Sequence, residues 1–188
     1  METFEAIVTR RSVPAMSPDQ TPSKEQIERL LTAAVRAPTH HLSQPWRFIV
    51  LTGDALDGFA DAWERGAVRE GADPSGVAAK AHRAPVILAV IERPHLDNPK
   101  VVEIEEHHAV GAALQNILLT AHDMGLGAML RTGPAARMSE VREYLGVEED
   151  EFVAGFVYVG HPPQGDADRP MSRRTDPSEL TEWRGWDR

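Results

Sequence analysis

The longest helical pattern in this chain, Val101 to Met124, limits its fold more than any other stretch. Its middle, Ala109-Val-Gly-Ala-Ala-Leu-Gln-Asn-Ile-Leu-Leu119, is apolar nearly all round. A helix apolar on every side has to be buried. In a chain of 188 residues the cheapest complete burial is against a symmetry mate. The pattern therefore predicts a homodimer with this helix at its interface. Ala109, Gly111, Ala112 and Ala113 are small enough to allow close approach. The length, with 41% hydrophobic and 26% charged residues, fits one domain spanning 1–188, whose residues 164–188 form an extended polar tail.

Around that helix the pattern alternates between strands and shorter helices. Arg47-Phe-Ile-Val-Leu-Thr52 is a β-branched and aromatic run that reads as a strand. Pro85–Ile91 and Phe152–Gly160 are continuous apolar runs, which read as strands buried on both faces. Ala128–Leu130 is a short strand. Helices are expected at Thr3–Thr9 (Thr3 as N-cap), at Lys24–Ala37 behind a Ser23/Gln26 capping box, and from Asp54 to about Glu70. Shorter ones are expected at Val77–Arg83 and at Ser139–Leu145, with Ser139 as N-cap. The region between Gly53 and Arg83 reads either as a lid or substrate-facing excursion, or as a solvent-exposed helical hairpin. No Gly-x-Gly-x-x-Gly follows the first strand, so this is not a dinucleotide-binding unit of that kind.

Composition removes several function classes. The net charge of −9 argues against a nucleic-acid partner. The absence of cysteine excludes disulfides, thiolate metal sites and cysteine nucleophiles. No run is long and apolar enough to span a bilayer, and Met1–Val8 has no signal-peptide pattern, so a cytoplasmic protein without a membrane partner is expected. Glu105 and His108 have Glu-x-x-His spacing, but only one copy of that motif is present, where di-iron helices need two. A metal site drawing on Glu105, His108 and His122 is the weakest reading. The cluster Glu103–His108 reads better as a solvated helix start that complements the helix dipole.

Three stretches carry candidate chemistry. Arg36-Ala-Pro-Thr-His-His-Leu-Ser-Gln-Pro-Trp46 joins a helix to a strand without glycine, and offers hydroxyls, imidazoles and an amide. It is either a binding loop or a connection whose Pro45 and Trp46 plug the core. Arg10-Arg11-Ser12 ends the first helix with two guanidinium forks and a hydroxyl, which suits a phosphate. The alternative is that the arginines sit in solvent and interact with the helix C-terminal dipole. Gly125-Leu-Gly127 ends the long helix; its second glycine admits something flat or bulky, or is only part of a turn. Trp183 and Trp186 would be costly in solvent, so the tail should pack on something, such as a second subunit.

Together these motifs resemble the FMN-dependent nitroreductase family, in particular its short members. The resemblance covers the whole chain in order. It rests on Arg10-Arg11-Ser12, on Arg36-Ala37-Pro38-Thr39 leading to Gln44-Pro45-Trp46, on Gly125-Leu126-Gly127, and on Val159-Gly160-His161-Pro162. It implies an α+β, three-layer fold with a central mixed, mainly antiparallel sheet flanked by helices. It implies a homodimer with FMN in two clefts at the interface. Arg10, Arg11 and Ser12 would hold the phosphate and ribityl chain. Arg36, Thr39, His40 and Gln44 would approach the flavin, partly from the partner subunit. Arg131, Thr132 and Gly133 would line its far side, and Arg174 would reach the phosphate. The implied activity is ping-pong transfer of hydride from NADH or NADPH through FMN to a nitroaromatic, quinone or related small-molecule acceptor, with no catalytic side chain required. His40 and His41 are either proton donors near the acceptor or merely structural. A non-catalytic FMN- or ligand-binding dimer is the alternative. Two departures stand out: Leu42 where many members have Asn, and Thr132-Gly133 where they have a Gly pair.

Overall fold

The computed structural model describes residues 1–186. Six α-helices and four strands follow one another as α1 (Thr3–Thr9), α2 (Lys24–Ala34), β1 (Trp46–Thr52), α3 (Asp54–Arg69), α4 (Val77–Ala81), β2 (Val86–Glu92), α5 (Glu103–Asp123), β3 (Gly127–Arg131), α6 (Ser139–Tyr144) and β4 (Phe152–Gly160). The sheet order is β1-β2-β4-β3. All three pairings are antiparallel. The expected mixed sheet is therefore corrected: among the described residues no parallel pair exists. An apolar run buried on both faces usually marks a parallel strand. Here β2 earns the same pattern by lying in the middle of an antiparallel sheet with helices on both sides.

The layers follow from alternation along β2 and β4. Val86, Leu88, Val90, Val157 and Val159 point to a cluster with Ile27 and Leu30 of α2 and Val110, Ile117 and Ala121 of α5. Ile87, Ala89, Ile91, Phe156 and Tyr158 point the other way, to Phe59 and Ala67 of α3, Val77 and Ala81 of α4 and Val141 of α6. The segment is thus not a solvent-exposed hairpin: α3 carries a core face, and Phe59 is fully buried against Phe156 at 5.1 Å between rings.

Local signals explain most boundaries. Ser23 and Gln26 form the predicted capping box. Helix α2 stops three residues before its predicted end, and 35–37 close it as tight turns ahead of Pro38. Thr3 and Ser139 are first helical residues rather than caps. Gly125, at φ 71°, takes the left-handed position after α5, and Leu126 N–H reaches back to Ala121 O at 2.8 Å. The second glycine admits this chain's own Met16: a Cβ on Gly127 would lie 2.7 Å from its sulfur. That close approach lays residues 13–16 along β3, with Val13 N–H donating to Ala128 O at 3.1 Å.

Helix α5 is the spine. Its buried residues pack on α2 and the sheet, while Gly111 and Gln115 stay exposed. One chain thus buries most of this helix by itself, which the all-round apolar pattern did not anticipate. The larger unpartnered apolar surface is on α1, where only Ala6 is buried and Phe4 is 76% exposed. The tail beyond Asp168 lies exposed, with Trp183 and Trp186 stacked edge to face on each other at 5.6 Å. Among the described residues no helix is long and apolar enough to cross a membrane.

Candidate active site

The expected binding residues fall into two groups at opposite ends of α5. The first group surrounds its C-terminal end and β3. Arg10 caps α1, half-buried; its backbone N–H donates to Ala6 O at 3.0 Å, and its side chain makes no hydrogen bond or ion pair with the described residues. Arg11 is engaged: its Nη1 donates to Arg169 O at 2.5 Å, and its Nε lies 3.8 Å from Asp166. Arg169 in turn donates to Ser12 O at 2.9 Å. Arg11 therefore ties down the start of the tail, and Arg10 and the exposed Ser12 side chain are the open donors. His122 sits beneath them, 2.8 Å from Thr9 Oγ1. That hydroxyl already donates to Glu5 O, so the imidazole Nε2–H is the donor between them. Burial, then the charges of Arg10 and Arg11, hold the His122 pKa below its ordinary value.

Arg131 continues this group across the sheet edge. Its Nη2 donates to Pro14 O at 2.9 Å, and the guanidinium lies 5.2 Å over the Tyr158 ring. Arg131, Thr132 and Gly133 line a cavity of about 430 Å³ with Trp63, Lys80, Arg83 and Tyr158. No carboxylate lines it. Arg131 Nε is buried there with no hydrogen-bond partner among the described residues. Burial, and then the neighbouring Arg83 charge, lower the Arg131 pKa, while burial pushes the Tyr158 hydroxyl up to about 12. Three cations around one aromatic-walled cavity are poorly compensated by the chain itself. Sequence reasoning missed Trp63, Lys80, Arg83 and Tyr158. They belong to α3, the α4 region and β4, and only the fold brings them to β3.

The second group lies at the N-terminal end of α5. Thr39 precedes a 3-10 turn at His40–Leu42. His40 Nε2 is 3.5 Å from Glu105. His41, Leu42 and Gln44 all have positive φ, at 52°, 56° and 50°. The left-handed region costs an L-residue roughly 1–2 kcal/mol, so this loop stores strain of the kind found at ligand clamps. Pro45 is buried and Trp46 half-buried against the α2/α5 cluster, so the core-plug reading also holds for this end of the stretch. The helix start is not the solvated face expected from its charges. Glu106 is 0% exposed and Glu92 2% exposed. Glu92 meets His107 Nδ1 at 2.6 Å, and burial raises its pKa more than that histidine lowers it. A signal was available: Glu106 shares the stripe of Ala109, Val110 and Ala113 at helical spacing.

Two expected residues join neither group. Arg36 lines a separate open groove with Met1, Arg29, Leu119 and Thr120. Arg174 donates only to Arg173 O, at 3.3 Å. Among the described residues no cluster of three or more His, Asp or Glu side chains could hold a metal ion. Seventeen residues separate Glu105 from His122, a distance of about 25 Å along the helix, too far for the three-residue metal set.

An α2/α5 layer, an antiparallel sheet and an α3/α4/α6 layer, with basic residues near one end of the central helix and a strained polar loop at the other, define an α+β protein. The Nitroreductase family pattern matches residues 7–161, and the chain belongs to the nitroreductase family. It is 32% identical over 165 residues to the Escherichia coli K12 protein named "Putative NAD(P)H nitroreductase YdjA", covering 86% of this chain and 89% of that one. Its fold is similar to that of a nitroreductase-like family protein from Bacillus cereus, with a TM-score of 0.84 at 21% identity over 99% of this chain and 97% of that one. It is also similar to a Desulfovibrio desulfuricans nitroreductase homologue in complex with FMN, with a TM-score of 0.78 at 26% identity over 100% and 99% of the two chains.

Proposed function

We propose that this protein is an FMN-dependent NAD(P)H oxidoreductase that works as a homodimer and reduces a nitroaromatic, quinone or related small acceptor by a ping-pong mechanism. One observation carries the reading: the expected flavin residues of one chain lie at opposite ends of α5. Arg10 is near His122, and His40 is beside Glu105. Those anchor points are about 25 Å apart along the helix. One chain does not enclose one ligand with both groups, whereas a two-fold mate with its α5 reversed supplies the missing half to each of two sites. The exposed apolar face of α1 and the exposed Leu42 supply surface for that mate.

The residues present fit FMN. The cavity at β3 holds the unpartnered buried Arg131 Nε beside Lys80, Arg83 and aromatic walls, which suits a flat ring that gains negative charge on reduction. Arg10, without a partner of its own, suits the phosphate. Arg10 and the Arg131 cavity would hold FMN, which would supply the redox chemistry between NAD(P)H and the acceptor. Lys80, Arg83 and Arg131 stabilise negative charge that develops at the ring. Thr39, His40 and Gln44 of the partner close the opposite side and bound the opening that donor and acceptor use in turn.

The purified protein should be yellow and bleach on addition of NAD(P)H. A colourless protein that ignores added FMN would overturn the reading. Mixing Arg10→Ala chains with His40→Ala/Gln44→Ala chains tests the shared site: random pairing should recover about a quarter of the intact sites. No recovery from properly mixed dimers would show that each chain builds its own.

A further inference from the structure

The loop between α2 and β1 holds three left-handed, non-glycine residues within four positions. Leu42 has no polar side chain to satisfy its own backbone, and it is 79% exposed, so nothing in its own chain packs it into place. Such a conformation survives only where surrounding contacts over-determine it. Here they converge on the first turn of α5. Ser43, the residue between the left-handed ones, keeps right-handed backbone at φ −58°. Its Oγ donates to Glu106 Oε1 at 2.5 Å. The other oxygen of Glu106 accepts His95 N–H at 3.2 Å, and His95 Nδ1 lies 3.6 Å from it. One wholly buried carboxylate therefore ties the 39–45 loop to the loop that follows β2. The adjacent Glu105 holds His40 from the same helix turn.

We propose that Glu106, acting through Ser43, is a positioning residue that fixes how His40 and Gln44 are presented at the opening of the flavin site. This rests on the FMN-oxidoreductase reading. Glu106 reaches neither cofactor nor substrate; it sets the loop that does. A buried acceptor for the His95 amide alone would have no need of Ser43. The hydroxyl link is the part that bears on the loop, and removing it leaves the His95 bond in place.

The test uses the whole dimer with Ser43→Ala and Ser43→Thr. Amide exchange of residues 39–46 needs no cofactor. In Ser43→Ala it should speed up about ten-fold, as expected when one charge-assisted hydrogen bond is lost, while α5 and β2 exchange as before. With FMN bound, the visible circular dichroism of the flavin should change. kcat/KM for the acceptor should fall about ten-fold, chiefly through KM. Ser43→Thr, which keeps the hydroxyl, should restore all three. Unchanged exchange and kinetics in Ser43→Ala would overturn the proposal, as would failure of Ser43→Thr to restore them. If the wild-type chain binds no FMN, the oxidoreductase reading fails, and the exchange experiment still decides whether the clasp holds the loop.

Discussion

The two ends of α5 solve opposite problems. Towards its C-terminal end and along β3, Gly127 lets Met16 pack close, Arg10 carries a side chain without a partner, and Arg131 shares with Lys80 and Arg83 a cavity that no carboxylate lines. At its N-terminal end there is no glycine where the chain turns left-handed, and carboxylates do the holding: Glu92, Glu105 and Glu106 each take a histidine or a serine. The first end is built to receive an anion and is underpopulated with partners. The second is internally satisfied and is built to hold a shape. The difference between them accords with the proposed dimer, in which one end of one chain meets the other end of another.

The comparison can be broken most severely in the middle. Ile117 is 0% exposed on the α5 face that packs on the sheet, and Ile117→Ala should cost about 2–5 kcal/mol in chemical denaturation. If the two ends depend on one rigid spine, FMN affinity and amide protection of the 39–46 loop should decline together. Loss of one without the other would show that the ends are independent.

The cationic end has a pH signature. Tyr158 titrates at about 12 in the folded chain, above the value of about 10 for an unfolded tyrosine. Its contribution to stability is complete below pH 10 and disappears as pH rises through 12. It amounts to roughly 2–3 kcal/mol. Absorbance at 295 nm should show this late step, and Tyr158→Phe should remove it. If Tyr158→Phe removed an early step instead of the late one, the cavity would be wet.

Arg10→Ala should weaken FMN binding ten- to hundredfold, about 1.5–3 kcal/mol for a charge-assisted bond, measured by flavin fluorescence. His40→Ala should weaken it by less than ten-fold, since its end shapes rather than anchors. Equal effects would erase the distinction. The smallest change should come from Leu42→Asn. Asn accepts φ 56° more readily, so the variant should gain roughly 0.5–1 kcal/mol in thermal unfolding. A lower Tm would show that Leu42 is packed by the partner subunit.

Much of this was legible from residues in order. The capping box at Ser23, the left-handed Gly125 and the buried runs of β2 and β4 follow from local rules, because their neighbours in sequence are their partners in space. The carboxylate clasp was not read, because charged residues at a helix start are ordinarily solvated and only the stripe through Ala109 and Val110 betrayed Glu106. The left-handed loop was illegible because propensity assigns that backbone to glycine or asparagine, and Leu42 is neither. Trp63, Lys80 and Arg83 were invisible for a topological reason: they reach β3 only after the α3/α4 layer folds over the sheet.

In the proposed dimer α5 is the spacer for two sites at once, so its length is the dimension this lineage can least afford to vary. One inserted residue would turn one end by about 100° relative to the other and misalign both openings together. Past Arg169, which is tied to Arg11 and Ser12, residues 170–186 are exposed, so that stretch can change sequence or length without moving either. Divergence in what such proteins accept should therefore accumulate in loops and tails, on a helix whose residue count stays fixed.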